Sequence, residues 1–271
     1  MLFSVRDIDT LRLVCWGQYV MPDRLLSVIS ETELQNLISL GFIKCHEKSG
    51  AAVLTAKGFS FLQRVFPSGI PVLAQSYHSA AIQRRLRQSM LALTAYRGAV
   101  DIFITSPEEL SRPPSLFLPT ITRGHSMNPW GNVRIAAIAR LGDLLCAAHY
   151  VCSGIGKLAL TDELNAFTNQ TARFRDARRV FLFAGESYGD ILAELEASEP
   201  RTDTKLISYG AAYHCLQFPV HLLSCDDTGA VQLQIMSVPD YRRKLTRAAL
   251  KGEYQPSENA SLNKANLATF V

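Results

Sequence analysis

The stretch Glu31–Phe66, ETELQNLISLGFIKCHEKSGAAVLTAKGFSFLQRVF, constrains the fold more than any other part of the chain. Leu34, Leu37, Ile38 and Leu40 recur at helical spacing and give one apolar face. Gly41 follows at the point where a helix needs a left-handed stop residue. Phe42–Cys45 and Ala51–Leu54 are short apolar runs, and the Glu47-Lys48-Ser49-Gly50 between them has the composition of a turn, so a β-hairpin is predicted. Thr55 then caps a helix whose apolar members are Phe59, Leu62, Val65 and Phe66. Upstream, Ile8, Leu11, Val14 and Cys15 mark a helix over Val5–Tyr19. Pro22 opens a second over Pro22–Val28, with Leu25, Leu26 and Val28 apolar. Ser30 or Thr32 caps the third.

Helix, helix, helix, hairpin and closing helix over residues 5–66 resemble the winged-helix family. The likeness is strongest in Leu37–Ile43 and Val53–Leu62, read as LISLGFI and VLTAKGFSFL. It implies double-stranded DNA as partner, with the third helix in the major groove and the hairpin lying along the backbone as a wing. The outward positions of the third helix would be Thr32, Gln35, Asn36 and Ser39, and Gln and Asn can read adenine edges bidentately. Lys44, Lys48 and Lys57 would place the wing on phosphates. Glu31 and Glu33 oppose this, because carboxylates near phosphates repel. The alternative is a winged helix used for dimerisation or protein contact.

Pro67–Gln75 reads as a linker. In Tyr77–Tyr96, Ile82, Leu86, Met90 and Leu93 repeat every three to four residues, which predicts a long helix. Arg84, Arg85 and Arg87 are assigned to its other face, with Arg97 beyond, and no acid lies between His78 and Val100. Such a face can follow a phosphate backbone. The competing reading is a solvated face whose arginines pair with acids elsewhere. His78 reads as a packing or capping residue.

From Val100 the texture becomes that of a mixed α/β domain. Strands are predicted at Asp101–Thr105, Leu116–Ile121, Arg179–Ala184, Leu206–Tyr213, Val220–Ser224 and Val231–Met236. Val133–Arg140 and Leu144–Cys152 form a hairpin around Leu141-Gly142-Asp143. Ser111–Pro114 and Gly124–Gly131 read as loops. Helices are predicted at Thr161–Phe174, Tyr188–Ala197 (Ile191, Leu192 and Leu195 inward) and Tyr241–Leu250. Gly252–Val271 reads as a loose polar tail.

The chain of 271 residues, 48% hydrophobic and 19% charged, is globular rather than disordered. Its net charge of +4 permits a nucleic-acid partner without demanding one. No run reaches the roughly 18 apolar residues of a membrane span, and Arg6, Asp7 and Asp9 rule out a secretory signal at the start. The six cysteines Cys15, Cys45, Cys146, Cys152, Cys215 and Cys225 form no CxxC pair and read as buried free thiols in a reducing cytoplasm.

Three patterns invite a chemistry. Gly185-Glu186-Ser187-Tyr188-Gly189 is a G-x-S-x-G between a predicted strand and a predicted helix, and resembles the serine α/β-hydrolase motif with Ser187 as nucleophile. Its partners fit poorly: Asp226 and Asp227 follow both His214 and His221, and Asp203 leaves little chain before His214. Cys152-Ser153-Gly154-Ile155-Gly156-Lys157 lacks the spacing of a phosphate loop, and Leu158 stands where a hydroxyl would hold magnesium. His149 with Cys152, and His214-Cys215 with His221 and Cys225, lack a complete ligand set, so no metal and no cofactor are assigned.

A winged helix, a basic helix and a mixed α/β domain also resemble, in layout, the replication-relaxation type proteins of mobile genetic elements, whose second domain is restriction-endonuclease-like. That fold's nuclease centre needs an Asp and then an acid-x-Lys on the next strand. Asp143 is present, but Leu144–Cys152 holds no Glu, Asp or Lys. The expectation is an α+β chain: a winged helix-turn-helix at 1–66, a linker at 67–76, a basic helix with a mixed α/β domain at 77–251, and a tail at 252–271. It is read as a cytoplasmic, homodimeric, non-enzymatic DNA-binding protein of a bacterial mobile element, acting in plasmid replication, mobilisation or transcription. The alternatives are a hydrolase using Ser187, a divergent nuclease, and a protein-interaction module.

Overall fold

A computed structural model describes residues 3–67, 69–71, 78–119, 135–151, 163, 167, 177–196, 220–225 and 235–237. Helices and strands both contribute, which places the chain in the mixed α+β class. It divides into two compact units, residues 1–131 with 227–231, and residues 132–226 with 232–271.

The first unit begins with α1 (Val5–Gly17), α2 (Pro22–Leu25), α3 (Glu31–Ser39), β1 (Ile43–Cys45), β2 (Ala52–Leu54) and α4 (Ala56–Val65). Ser4 caps α1 in a reciprocal box with Asp7. The periodicity predicts that α1 runs to Tyr19, but it stops at Gly17. Gln18 adopts φ 62, ψ −42, and the Tyr19 N–H donates to the Gly17 carbonyl at 2.8 Å, a γ-turn of the rarer hand. That turn redirects the chain so that Val20 and Ala52 exchange backbone hydrogen bonds of 3.1 and 2.7 Å. β2 therefore has a neighbour on each side, Val20 and β1, and β1 is the outer edge. In the hairpin Ile43 pairs with Leu54, Lys44 with Val53 and Cys45 with Ala52. α2 is shorter than predicted, and Leu26, expected on its apolar face, is exposed.

α5 (Ser79–Arg97) falls in this first unit, whereas the predicted division assigns it to the domain 77–251. Ile82 joins a buried cluster with Tyr19, Ala51 and Val53, and Leu86 and Met21 lie against it. Further along, Gly17 of α1 meets Ser89: a Cβ on Gly17 would sit 2.8 Å from that of Ser89. The single stripe predicted for this helix is too narrow. Gln88, Ser89, Leu91, Ala92 and Ala95 are buried beside Ile82 and Leu93, while Leu86 and Met90 are half-buried.

Arg12, in the C-terminal half of α1, joins several elements. Its guanidinium lies 3.7, 4.5 and 5.7 Å from the ring centres of Phe103, Phe66 and Trp16, and 3.5 Å from an Asp9 carboxylate oxygen. The Tyr96 hydroxyl donates to the other Asp9 oxygen at 2.9 Å, and the Trp16 indole N–H donates to the Ile104 carbonyl at 3.3 Å. Asp101–Thr105, predicted as a strand, makes only a bridge from Asp101 to Ser115. Ser115–Phe117 is the strand β3, preceded by a 3₁₀ turn at Pro107–Ser111.

The second unit carries β4 (Ala137–Leu141), β5 (Leu144–Tyr150), β6 (Arg178–Gly185), α6 (Tyr188–Glu196), β7 (Val220–Ser224) and β8 (Ile235–Ser237). The strands lie side by side in that order: β4 and β5 antiparallel, β5, β6 and β7 parallel, and β8 antiparallel to β7. β5 is buried from Leu145 to His149 and β6 from Val180 to Gly185, as central strands covered on both faces should be. Gly142 turns the β4–β5 hairpin at φ 59. α6 returns tightly onto the end of β6, where a Cβ on Gly185 would lie 2.6 Å from the Ile191 side chain.

Among the described residues no helix is long and apolar enough to cross a membrane. Cys15, Cys146 and Cys225 are buried and not in disulfides, but Cys45, predicted to be buried, is exposed on the outer strand β1. Cys152, Cys215, most of Pro67–Gln75, most of Thr161–Phe174, and the segments predicted at Gly124–Gly131, Leu206–Tyr213, Tyr241–Leu250 and Gly252–Val271 lie outside the described residues, as does the Cys152–Lys157 turn.

Candidate nucleic-acid interface

Local sequence fixes α3 at both ends. Ser30 caps it: its hydroxyl accepts from the Glu33 N–H, and the Glu33 carboxylate accepts from the Ser30 N–H at 2.8 Å. Those hydrogen bonds from Ser30 hold the Glu33 carboxyl below its usual range. At the other end Gly41 takes φ 71. Its N–H donates to Ile38 at 2.8 Å, and that of Phe42 donates to Leu37 at 3.0 Å, which is a Schellman stop. Leu34 and Leu37 face inward at 3% and 1% exposure. Thr32, Gln35, Asn36 and Ser39, spaced i, i+3, i+4, i+7, are all exposed on the opposite face. That face carries amides and hydroxyls and no charge; Glu31, also exposed, sits at its start.

The hairpin presents Lys44 on β1 and Lys48 in the turn, both exposed. Lys57 is a different case. It lies in the first turn of α4, not on the hairpin, and its ammonium donates to the Leu40 carbonyl at 2.6 Å while resting 4.8 Å from the Phe42 ring centre. It neutralises the negative end of α3 instead of projecting toward a phosphate. Its neighbours serve the same junction. The Thr55 hydroxyl donates to Gly41 at 2.6 Å and accepts from Gly58 N–H at 3.1 Å, and Gly58 lets α4 approach the Phe42 carbonyl.

The α5 arginines do not form the open basic face that the periodicity predicts. Arg84, Arg85 and Arg87 are all half-buried, and Arg85 turns toward the protein, 5.8 Å from the ring centre of buried Tyr19. With about 100° between successive residues they are spread around the helix. The side presenting Gln83 is the most open.

Ser187 is a helix cap. Its hydroxyl donates to the Asp190 carboxylate at 2.6 Å and accepts from the Asp190 N–H at 3.1 Å. No histidine among the described residues hydrogen-bonds to it; His214 and the side chain of His221, the bases weighed for a hydrolase, lie outside what is described, as do Asp203, Asp226 and Asp227. Asp143, the acid weighed for a nuclease centre, is held by Arg178 through contacts of 2.6 and 3.4 Å, and the hydrogen bond from that guanidinium keeps its carboxyl below the usual range. Among the described residues no three His, Cys, Asp or Glu side chains cluster as metal ligands do.

One polar pair escapes the sequence reading. His149 on β5 meets Glu163 at 2.5 Å with both buried, at 3% and 2% exposure. Nothing in the local spacing links them, because Glu163 lies across the crossover between parallel strands. A hydrogen-bonded pair is how a buried carboxylate is satisfied.

No family model, curated protein or solved structure matches the chain.

Proposed function

We propose that residues 5–66 are a winged helix that binds double-stranded DNA without catalysing a reaction on it. α3 enters the major groove with Thr32, Gln35, Asn36 and Ser39 toward the base edges, and the β1–β2 wing rests Lys44 and Lys48 on the backbone. The observation that carries this reading is the exposed, uncharged, amide-bearing face of α3 in a domain whose hairpin carries two exposed lysines, Lys44 on β1 and Lys48 in the turn. Lys57 and the α5 arginines are left out of the interface, because their charges are engaged or half-buried within the domain.

Two lysines per copy supply a small electrostatic contribution, so a homodimer on paired half-sites is part of the proposal. The setting proposed is that of a regulator or accessory factor of a bacterial mobile element, on the layout of a winged helix followed by a mixed α/β domain. The nuclease centre of that layout is not proposed here, since Asp143 is committed to Arg178.

Binding of a mixed-sequence duplex, measured against salt concentration, tests this. Wild type should show a linear fall of log affinity with log salt, and Lys44→Gln and Lys48→Gln should each reduce the slope by about one. Gln35→Ala and Asn36→Ala should weaken the preferred sequence and leave the slope unchanged. Absence of binding at low salt overturns the proposal. It would favour a protein partner, for which Glu31 at the start of α3 is the supporting observation.

A further inference from the structure

Gln18 carries two costs at one position. Its backbone stands at φ 62, ψ −42, a conformation that residues with a Cβ rarely adopt. Its side-chain amide is also buried, and among the described residues neither the oxygen nor the nitrogen has a hydrogen-bond partner. Glycine would carry neither cost. Nothing that the Gln18 side chain does therefore offsets the turn.

The offset lies in what the turn brings together. Up to Gln18 the helix is intact: its N–H donates to the Val14 carbonyl at 2.9 Å, and Gly17 is seated against Ser89 of α5. Past it, the gains fall on the hairpin. Val20 exchanges both backbone hydrogen bonds with Ala52. Tyr19 is buried with Ala51, Val53 and Ile82, and the His46 ring of the hairpin turn stands edge-on to it, 5.2 Å between centres. α3 is held by other means, the Ser30 cap, the Gly41 stop and the buried Leu34 and Leu37.

We infer that Gln18 is a positioning residue for the wing: the turn of its backbone, and not a contact of its side chain, seats β2 and so sets where Lys44 and Lys48 stand relative to α3. The consequence for binding rests on the DNA-binding reading above. A strained turn persists only while the structure around it over-determines it. The seating of the hairpin is then a balance between the strain at Gln18 and the contacts of Tyr19 and Val20. More strain unseats the hairpin and spares α3, and less strain seats it more firmly.

Three variants of the full-length chain separate backbone from side chain. Gln18→Gly relieves the turn, Gln18→Ala removes the amide but keeps a Cβ, and Gln18→Val adds a branch where β-branched residues fit worst. Hydrogen exchange at the Val20 and Ala52 amides reads the seating without DNA. Exchange there should be slowest in Gln18→Gly, no faster than wild type in Gln18→Ala, and about tenfold faster in Gln18→Val, with the α3 amides unchanged. On a duplex, Gln18→Val should lower the salt slope by about two, as loss of Lys44 and Lys48 together would, and keep the sequence preference carried by Gln35 and Asn36. Gln18→Gly and Gln18→Ala should keep both. A wild-type slope in Gln18→Val, or slope and preference lost together, overturns the inference. Weakened binding in Gln18→Ala overturns it too, because the amide would then hold the role. Should Gln18→Val not fold, equal exchange in Gln18→Gly and Gln18→Ala is the overturning result. Failure of wild type to bind duplex overturns the DNA reading, and the exchange order then decides the seating by itself.

Discussion

The ammonium of Lys57 and the carbonyl oxygen of Leu40 are 2.6 Å apart, so the first turn of α4 caps the last turn of α3. Lys57→Met should cost about 0.5 kcal/mol, the usual scale of a cation at a helix C-terminus, and lower the thermal midpoint slightly. The same variant should leave the salt slope of DNA binding at its wild-type value. A slope reduced as much as by Lys48→Gln would return Lys57 to the phosphate contacts.

Gly58 stands where no side chain fits. A Cβ there would lie 2.4 Å from the Phe42 carbonyl oxygen and 2.9 Å from Leu54. The backbone oxygen cannot swing aside as a side chain can. Gly58→Ala should destabilise the first unit by about 1–3 kcal/mol, seen as a shifted denaturation midpoint. An unchanged midpoint would show that α4 is not seated this closely.

Ser187 should behave as a cap and not as a nucleophile. A fluorophosphonate probe should leave the wild-type chain unlabelled. Ser187→Ala should cost about 1 kcal/mol of stability through loss of the N-cap of α6. Labelling that disappears in Ser187→Ala would revive the hydrolase reading.

Tyr96 gives a signal at alkaline pH. Burial, and then its hydrogen bond and proximity to Asp9, push its hydroxyl up to about 12. A group whose folded value is raised contributes stability that is intact below its unfolded value of about 10 and is lost as pH rises through the folded value. The difference in midpoint between wild type and Tyr96→Phe should be constant up to about pH 9 and close toward about pH 12. A gap that widens with pH would contradict the Asp9 contact.

The parts legible in the sequence were those set by local chemistry. Ser30, Gly41 and Thr55 are cap and stop residues whose roles need only their immediate neighbours, and α3, the hairpin and the start of α4 follow from them. The outward set Thr32, Gln35, Asn36 and Ser39 is legible for the same reason: a helix with one buried face exposes the other. α5 misleads because it is covered on several sides, so no clean stripe separates its arginines from its core. Lys57 misleads because its partner lies seventeen residues away in sequence. The unusual backbone at Gln18 has no side-chain signature, yet it brings Val20 to β2. The Glu163 partner of His149 depends on a parallel crossover that spacing alone cannot show.

β2 is bordered along one edge by Val20 and along the other by β1, and Ala51 and Val53 pack against Tyr19 and Ile82. A fin braced in this way reaches a partner already shaped. Little conformational freedom is surrendered on contact, so tightness is governed by surface fit and not by an ordering cost. On the DNA-binding reading proposed above, the corollary is intolerance: the duplex has to bring the matching curvature to a hairpin braced on both edges.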